Sequence, residues 1–151
     1  MSTGQVVGIF LTSEHGVLPA NVERVRALAG KGLEGNRYFY ADGDAPDGRA
    51  LTLIAAEALE ALEQEDGIAL HAAATRRNVL TRGIDVNALV GKRFRVGDVE
   101  CLGVELCEPC AHLQSLTQPG VIKGLVHRGG LNADILSDGD IAVGDAVTPQ
   151  E

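Results

Sequence analysis

The 151-residue sequence has few aromatic residues, no tryptophan and no long apolar run. Aromatic side chains make up 3% of the residues, whereas glycine occurs 19 times. Such a core has to be built from Val, Leu, Ile and Ala, and the glycines favour short strands joined by tight turns. The N-terminus lacks a basic region followed by an apolar stretch, and no segment is long enough to span a bilayer. We therefore predict a cytoplasmic protein without a membrane segment.

Positive charge is also scarce, because 13 Lys and Arg face 21 Asp and Glu and give a net charge of -8. Nucleic acids and anionic membranes require a basic surface, so neither is expected as a partner. An anionic small molecule would need a local basic cluster. Three segments place arginine beside glycine or asparagine: Gly32–Tyr38, Thr75–Gly83 and Val126–Gly130. These segments predict a phosphate-binding pocket, although ordinary surface turns share the pattern.

Length and patterning predict the fold. The length suits one domain with a core of its own, and no Pro/Ser-rich linker divides residues 1–151. Apolar periodicity predicts one clear helix, Ile54 to Gln64, with Leu59 and Leu62 facing inward. Strands are predicted at Gly4 to Leu11, Asn78 to Thr81, Arg93 to Val96 and Val99 to Leu106. The sequence therefore predicts a β-rich fold, a barrel or bent sheet with peripheral helices.

Chemistry is expected around Cys107 and Cys110, which stand three residues apart after an apolar strand, with His112 close behind. Such a pair can be a redox couple, half of a zinc site or a single working thiolate. For zinc, no histidine stands at the usual spacing and no second cysteine pair exists. Two other cysteine motifs do not fit either. A haem-attachment signature needs histidine directly after the second cysteine, and a thioredoxin-like pair opens a helix in a βαβ unit, whereas the pattern here is β-rich.

A reactive thiolate and a pair of inert cysteines in a turn both remain compatible with these residues. A nearby imidazole or guanidinium would raise the thiolate fraction at neutral pH. Cys101, by contrast, stands within an apolar strand and is interpreted as a small core residue. About 20 Å of straight strand would separate Cys101 from Cys107, which excludes a disulfide between them.

Taken together, the chain resembles the MOSC domain family, which is named for the C-terminal domain of molybdenum cofactor sulfurases. The resemblance runs from about Gly4 to Val147. Six markers occur in the family's order: Gly32–Arg37, Arg49–Ile54, Arg77–Gly83, Cys107–Cys110, Arg128–Leu131 and Ile141–Asp145.

The resemblance implies a β-barrel-like fold and a cysteine that either carries sulfur or ligates molybdenum in a pterin cofactor. The working cysteine and metal ligand maps onto Cys110, with Cys107 as its variable neighbour. Together with the residues themselves, this gives Cys110, Cys107 and His112 as the candidate catalytic residues. The residues expected to bind the molybdenum cofactor (molybdopterin) are Arg37, Arg77, Asn78, Arg82, His127 and Arg128. Among them, Arg77, Asn78, Arg82 and Arg128 are expected to converge in one pocket.

Two functions follow from the resemblance. One is reduction of N-hydroxylated small molecules at the molybdenum cofactor, with electrons from a separate electron-transfer protein. The other is a sulfur carrier that holds a persulfide for the assembly of metal–sulfur centres and receives its sulfur from a cysteine desulfurase. A separate partner is expected because these 151 residues include neither a desulfurase nor an electron-transfer module.

Overall fold

A computed structural model describes residues 3–12, 19–36, 39–108, 120, 124–125 and 127–150 of the chain. Strands dominate the described residues, and two short 3-10 helices span Ala72–Thr75 and Val86–Leu89. The longest helix among them is α1, Ala56–Asp66. The strands are β1 Gly4–Leu11, β2 Ala20–Asn21, β3 Arg24–Leu28, β4 Gly32–Leu33, β5 Leu51–Ala55, β6 Val79–Arg82, β7 Arg93–Val96, β8 Val99–Leu106, β9 Leu131–Ile135, β10 Gly139–Ala142 and β11 Ala146–Pro149.

Seven of these strands form a closed barrel. They pair in the order β11, β7, β8, β9, β5, β6 and β1, and β1 pairs back onto β11 through Gly4 opposite Val147. The pair β5–β6 is parallel, with Leu53 opposite Val79, while the other barrel pairs are antiparallel. Closure leaves no long free edge in the barrel, and the predicted β-rich, barrel-like fold is confirmed.

A second sheet of three strands lies beside the barrel, in the order β10, β3, β4. Its central strand β3 alternates exposed and buried residues, and it buries Val25 and Ala27. On the exposed face, Arg24 and Arg26 both reach Asp140 of β10. These surface pairs add little stability, so burial of the apolar face holds this sheet on the barrel.

The barrel core is aliphatic, as the composition predicts. Phe94 is the only aromatic side chain among the described residues of the main core cluster. Most of the others are Val, Leu, Ile and Ala, which is the composition that short, tightly curved strands can pack. The fully buried large side chains of this cluster are Phe94, Ile9, Leu33, Leu51, Leu53, Leu89, Leu131, Ile135 and Ile141.

The predicted helix at Ile54 to Gln64 begins and ends later than expected. Ile54 belongs to β5, where it pairs with Leu80, so its burial comes from the sheet and not from a helix face. Gly67, in the left-handed conformation, caps the C-terminal end of α1. Leu62 is fully buried as predicted, but Leu59 is only half-buried. No helix within the described ranges is long and apolar enough to cross a membrane.

Strand β8 has the predicted boundaries, and its buried face is formed by Val99, Cys101 and Gly103. A register shift between Gly103 and Glu105 interrupts the alternation. At Gly103 the neighbouring chain comes so close that a Cβ atom would lie 2.0 Å from the Leu89 carbonyl oxygen. The bulge therefore bends β8 just before Cys107 and separates the environments of Cys101 and Cys107.

Candidate functional site

Three segments distant in sequence meet around Cys107. They are the end of β8, the turn before β6 and the turn before β9. The Cys107 amide donates to the Gly130 carbonyl at 2.8 Å, which extends the β8–β9 pairing beyond Leu106 opposite Leu131. Cys107 is half-buried. The structure thus places this thiol at the rim of the barrel, where a strand ends, as the sequence predicts.

Arg77 joins the three segments. Its side chain is buried, with 8% of the residue exposed. Nε donates to the Gly129 carbonyl at 2.8 Å, and one terminal nitrogen donates to the Thr75 carbonyl at 3.1 Å. The other terminal nitrogen donates to the carbonyls of Cys107 at 2.9 Å and Glu108 at 3.4 Å. The guanidinium therefore holds backbone from all three segments.

A second connection links Glu108 and His127. The Glu108 carboxylate accepts from the His127 amide at 2.8 Å and lies 2.8 Å from Nδ1 of the same histidine. His127 has a positive φ of 60°, an uncommon conformation for this residue type. Its carbonyl accepts from the Asn87 side chain at 2.6 Å. Glu108 and His127, 19 residues apart in sequence, are therefore bonded to each other.

Arg128 faces helix α1. It pairs with Glu65 at 2.9 Å and Asp66 at 3.5 Å, and its Nε donates to the Gly124 carbonyl at 2.6 Å. About a third of the side chain is exposed. Arg128 is thus next in sequence to Gly129, which Arg77 binds, but its own charge is compensated by carboxylates at the C-terminal end of α1.

Asn78 ties the start of β6 to two other strands. Its Oδ1 accepts from the amide and the hydroxyl of Thr52, both at 3.1 Å. Its Nδ2 donates to the Phe10 carbonyl at 3.2 Å, and the Asn78 amide donates to the Thr52 hydroxyl at 2.9 Å. The buried amide thereby connects β1, β5 and β6 at one end of the barrel.

Arg82 does not join this region. It lies at the opposite end of β6, roughly 16 Å of extended chain from Arg77. Half of its side chain is exposed, and it forms a two-pronged pair with Glu60 at 3.0 and 3.2 Å. The hydrogen bond from Arg82 lowers the pKa of the Glu60 carboxyl and raises that of the guanidinium. The expected convergence of Arg77, Asn78, Arg82 and Arg128 in one pocket is therefore wrong for Arg82.

Three predicted site residues, Arg37, Cys110 and His112, lie outside the described residues. Sequence reasoning gave no role to Glu108, although the residue lies between the two cysteines. Its position inside the Cys107–Cys110 motif was the available signal. Within the described ranges, no three His, Cys, Asp or Glu side chains are grouped so that they could hold a metal ion.

Cys101 is a core residue, as predicted. It is fully buried, and burial, with a smaller contribution from the Glu100 carboxylate, raises the pKa of its thiol to about 12. Its sulfur lies 3.8 Å from the Val99 carbonyl oxygen.

Native protein treated with iodoacetamide at pH 8 is therefore expected to leave Cys101 unmodified while Cys107 reacts. Cys101 is fully buried, and with a thiol pKa of about 12 only on the order of one Cys101 thiol in ten thousand is ionised at that pH, whereas Cys107 is half-buried at the rim of the barrel. Peptide mapping by mass spectrometry measures the labelling of each cysteine, and urea-denatured protein is the control in which all three react. Equal labelling of Cys101 and Cys107 in native protein would contradict this environment.

The protein-family model described as MOSC domain matches residues 40–148. No curated protein sequence matches the chain significantly.

Several solved structures share the fold. The YuaD protein from Bacillus subtilis has 14% sequence identity and a TM-score of 0.81, and the alignment covers 97% of both chains. YiiM from Geobacillus stearothermophilus has 17% identity and a TM-score of 0.77, covering 98% of this chain and 75% of that one. YiiM from Escherichia coli has 20% identity and a TM-score of 0.69, covering 100% and 70%. At such identities these similarities establish the fold.

The family match spans more than half of the sequence, and the markers that it covers include both cysteines and the two arginine segments that meet at the barrel rim. The protein belongs to the MOSC domain family.

Proposed function

We propose that the protein binds molybdenum cofactor through the thiolate of Cys110 and reduces N-hydroxylated small molecules with electrons from a separate electron-transfer protein. The observation that supports this most is that Arg77 anchors the backbone at the rim of the barrel. The chain that leads to Cys110 starts from Cys107 and Glu108, whose carbonyls are both held by the buried Arg77. A metal ligand has to be presented in a fixed geometry, and rigid support of the neighbouring backbone provides it.

The donor chemistry at the rim suits a molybdenum thiolate. A thiolate is a soft ligand that suits a transition metal. Cys101 is not such a ligand because it is buried and its thiol remains protonated. Cys107 and Cys110 are therefore the thiols able to serve, and the family resemblance assigns the ligand role to Cys110. The bound cofactor would supply two-electron redox chemistry.

The anionic part of the cofactor requires basic side chains that can reach it. Among the described candidates, the His127 side chain is 76% exposed, and Arg128 is partly exposed but paired with carboxylates. Arg77 and Asn78 already use their side chains on backbone and on Thr52. We propose His127 and Arg128, with Arg37, as the residues that hold the phosphate.

The reaction is balanced by external reductant. Cleavage of the N–O bond in an N-hydroxylated base takes two electrons and two protons and releases the base and water. The electron-transfer partner supplies the electrons, and solvent or an acidic side chain supplies the protons. His127, held against Glu108 at the rim, is a proton donor of suitable type.

A second candidate function is the sulfur carrier. In this alternative, Cys110 holds a persulfide received from a cysteine desulfurase, and no cofactor is bound. The observation that favours it is that the three described arginines expected to bind the cofactor, Arg77, Arg82 and Arg128, all have protein partners. A persulfide needs an accessible thiol and no phosphate anchor.

Molybdenum content separates the two functions. Protein purified from a host that makes the cofactor is expected to contain close to one molybdenum per chain, because one thiolate binds one metal. Cys110→Ser is expected to lose the metal, and Cys101→Ser, which removes a core sulfur, is the matched control that keeps it. Elemental analysis measures the metal, and mass spectrometry detects a persulfide. Metal-free wild type that carries persulfide on Cys110 would favour the carrier, and absence of both would contradict both functions.

A further inference from the structure

The environment of Arg77 differs from that of the other predicted cofactor-binding arginines. Arg82 and Arg128 each pair with carboxylates at the surface. Arg77 is 8% exposed, and the ion pairs formed among the described residues do not include it. Its guanidinium donates to four backbone carbonyls, those of Thr75, Cys107, Glu108 and Gly129. A buried charge of this kind is stabilised by oriented dipoles, and each contact is a charge-assisted hydrogen bond.

These acceptors are far apart in sequence. Thr75 precedes β6, Cys107 and Glu108 follow β8, and Gly129 precedes β9. The planar fork of the guanidinium spreads its N–H donors over fixed directions, so one side chain can bridge all of them. A lysine ammonium ends a flexible stem and could not keep this arrangement.

The space around Arg77 is also closed on the side of the β9 turn. Gly130 has a φ of 117°, and a Cβ atom there would lie 2.2 Å from the Leu53 carbonyl oxygen and 3.5 Å from Cγ of Arg77. The Gly130 carbonyl in turn accepts from the Cys107 amide. Close packing of the two turns thus seats the arginine against the backbone of the cysteine segment.

We infer that Arg77 is a positioning residue that fixes the backbone at Cys107 and Glu108 and does not itself bind the cofactor phosphate. The inference deepens the proposed function and rests on it for the role of the cysteine segment. It departs from the expectation that Arg77 is a direct cofactor ligand. The positioning role itself is supported by the hydrogen bonds from Arg77 to the backbone carbonyls, whether or not a cofactor is bound.

The test compares Arg77→Lys, which keeps the charge, with Arg77→Gln, which removes it. Arg95→Lys and Arg95→Gln are the matched controls, because Arg95 is an exposed arginine of β7 that pairs with Glu100 of β8. The first measurement is hydrogen exchange of the Cys107 amide in cofactor-free protein. Both Arg77 variants are expected to exchange at least about tenfold faster than wild type, since a charge-assisted hydrogen bond to that segment is lost. In both Arg95 variants the Cys107 amide should exchange at the wild-type rate.

The second measurement is molybdenum content after expression in a cofactor-competent host. A positioning role predicts that Arg77→Lys and Arg77→Gln lose the metal to a similar extent. Wild-type exchange at Cys107 in Arg77→Lys, together with retained metal in that variant alone, would instead show that Arg77 acts by its charge and would overturn the inference. If wild type contains no molybdenum, the cofactor proposal fails, and the exchange measurement still decides the role of Arg77.

A measurement on the unmodified protein covers variants that do not fold. Inorganic phosphate is titrated into cofactor-free wild type while the Nε–H resonance of Arg77 is followed by NMR. Because the Gly129 carbonyl occupies that donor, the resonance is expected to stay unchanged and slow to exchange with solvent. A saturable shift of the Arg77 signal would show phosphate in contact with the guanidinium and would overturn the inference.

Discussion

Gly130→Ala is expected to lower the free energy of unfolding by about 3 to 5 kcal/mol. Gly130 has a φ of 117°, where a side chain is strained, and its new Cβ would lie 2.2 Å from the Leu53 carbonyl oxygen. That oxygen belongs to β5, a buried strand of the barrel, so neither partner can yield without disturbing the sheet. Urea denaturation followed by circular dichroism measures the change.

Gly144→Ala is the matched control. Gly144 also has a positive φ, 99°, but nothing lies within 4 Å of the position that its Cβ would occupy. Its cost is therefore the backbone strain alone, about 1 to 2 kcal/mol. An equal loss in the two variants would show that the carbonyl contact at Gly130 contributes nothing.

Gly130→Ala should also disturb the candidate site around Cys107. The Gly130 carbonyl accepts from the Cys107 amide, and Gly129 is held by Arg77. A displaced Gly130 is therefore expected to expose the Cys107 amide to hydrogen exchange. Close packing of the turn before β9 therefore also keeps the backbone at Cys107 ordered.

Much of the fold could be predicted from local pattern. The boundaries of β1, β7 and β8 are those predicted, because each strand has apolar residues bounded by turn residues such as Gly97-Asp98. The prediction failed at Ile54, where an apolar run of strand passes directly into a helix. A short run of this kind has no periodicity that separates the end of β5 from the first turn of α1. The parallel β5–β6 pair around that helix was missed for the same reason.

The candidate site was predictable by residue type but not by contact. The sequence indicated that arginines and glycines around Cys107 mattered, and the structure brings Arg77 and Gly129 to that cysteine. It did not indicate that Arg77 binds carbonyls or that Arg82 pairs with Glu60 at the far end of β6. Those outcomes depend on strand direction and burial, which the barrel topology decides. An arginine motif alone cannot distinguish a phosphate ligand from a backbone support.

Asn78→Ala is expected to lower the free energy of unfolding by about 2 to 4 kcal/mol, even in protein without cofactor. The buried Asn78 side chain accepts from Thr52 and donates to the Phe10 carbonyl. Its removal leaves these buried groups without partners, and each such group costs about 1 to 3 kcal/mol. A residue whose only task is to bind cofactor would leave the stability of cofactor-free protein unchanged. Thermal and urea unfolding of the cofactor-free variant therefore measure its structural share directly.

Asn132→Ala is the control for this substitution, because Asn132 is a half-buried asparagine on β9 whose side chain makes none of these strand-bridging contacts. It should cost less than about 0.5 to 1 kcal/mol, the range of ordinary surface changes. Asn78→Asp adds a second comparison, since it keeps the acceptor for Thr52, loses the donor to Phe10 and buries a charge. Stability loss in Asn78→Ala and Asn78→Asp but not in Asn132→Ala would show that Asn78 joins β1, β5 and β6. If all three variants match wild type, the hydrogen bonds at Asn78 do not hold the strands together, and the residue is left available for a ligand.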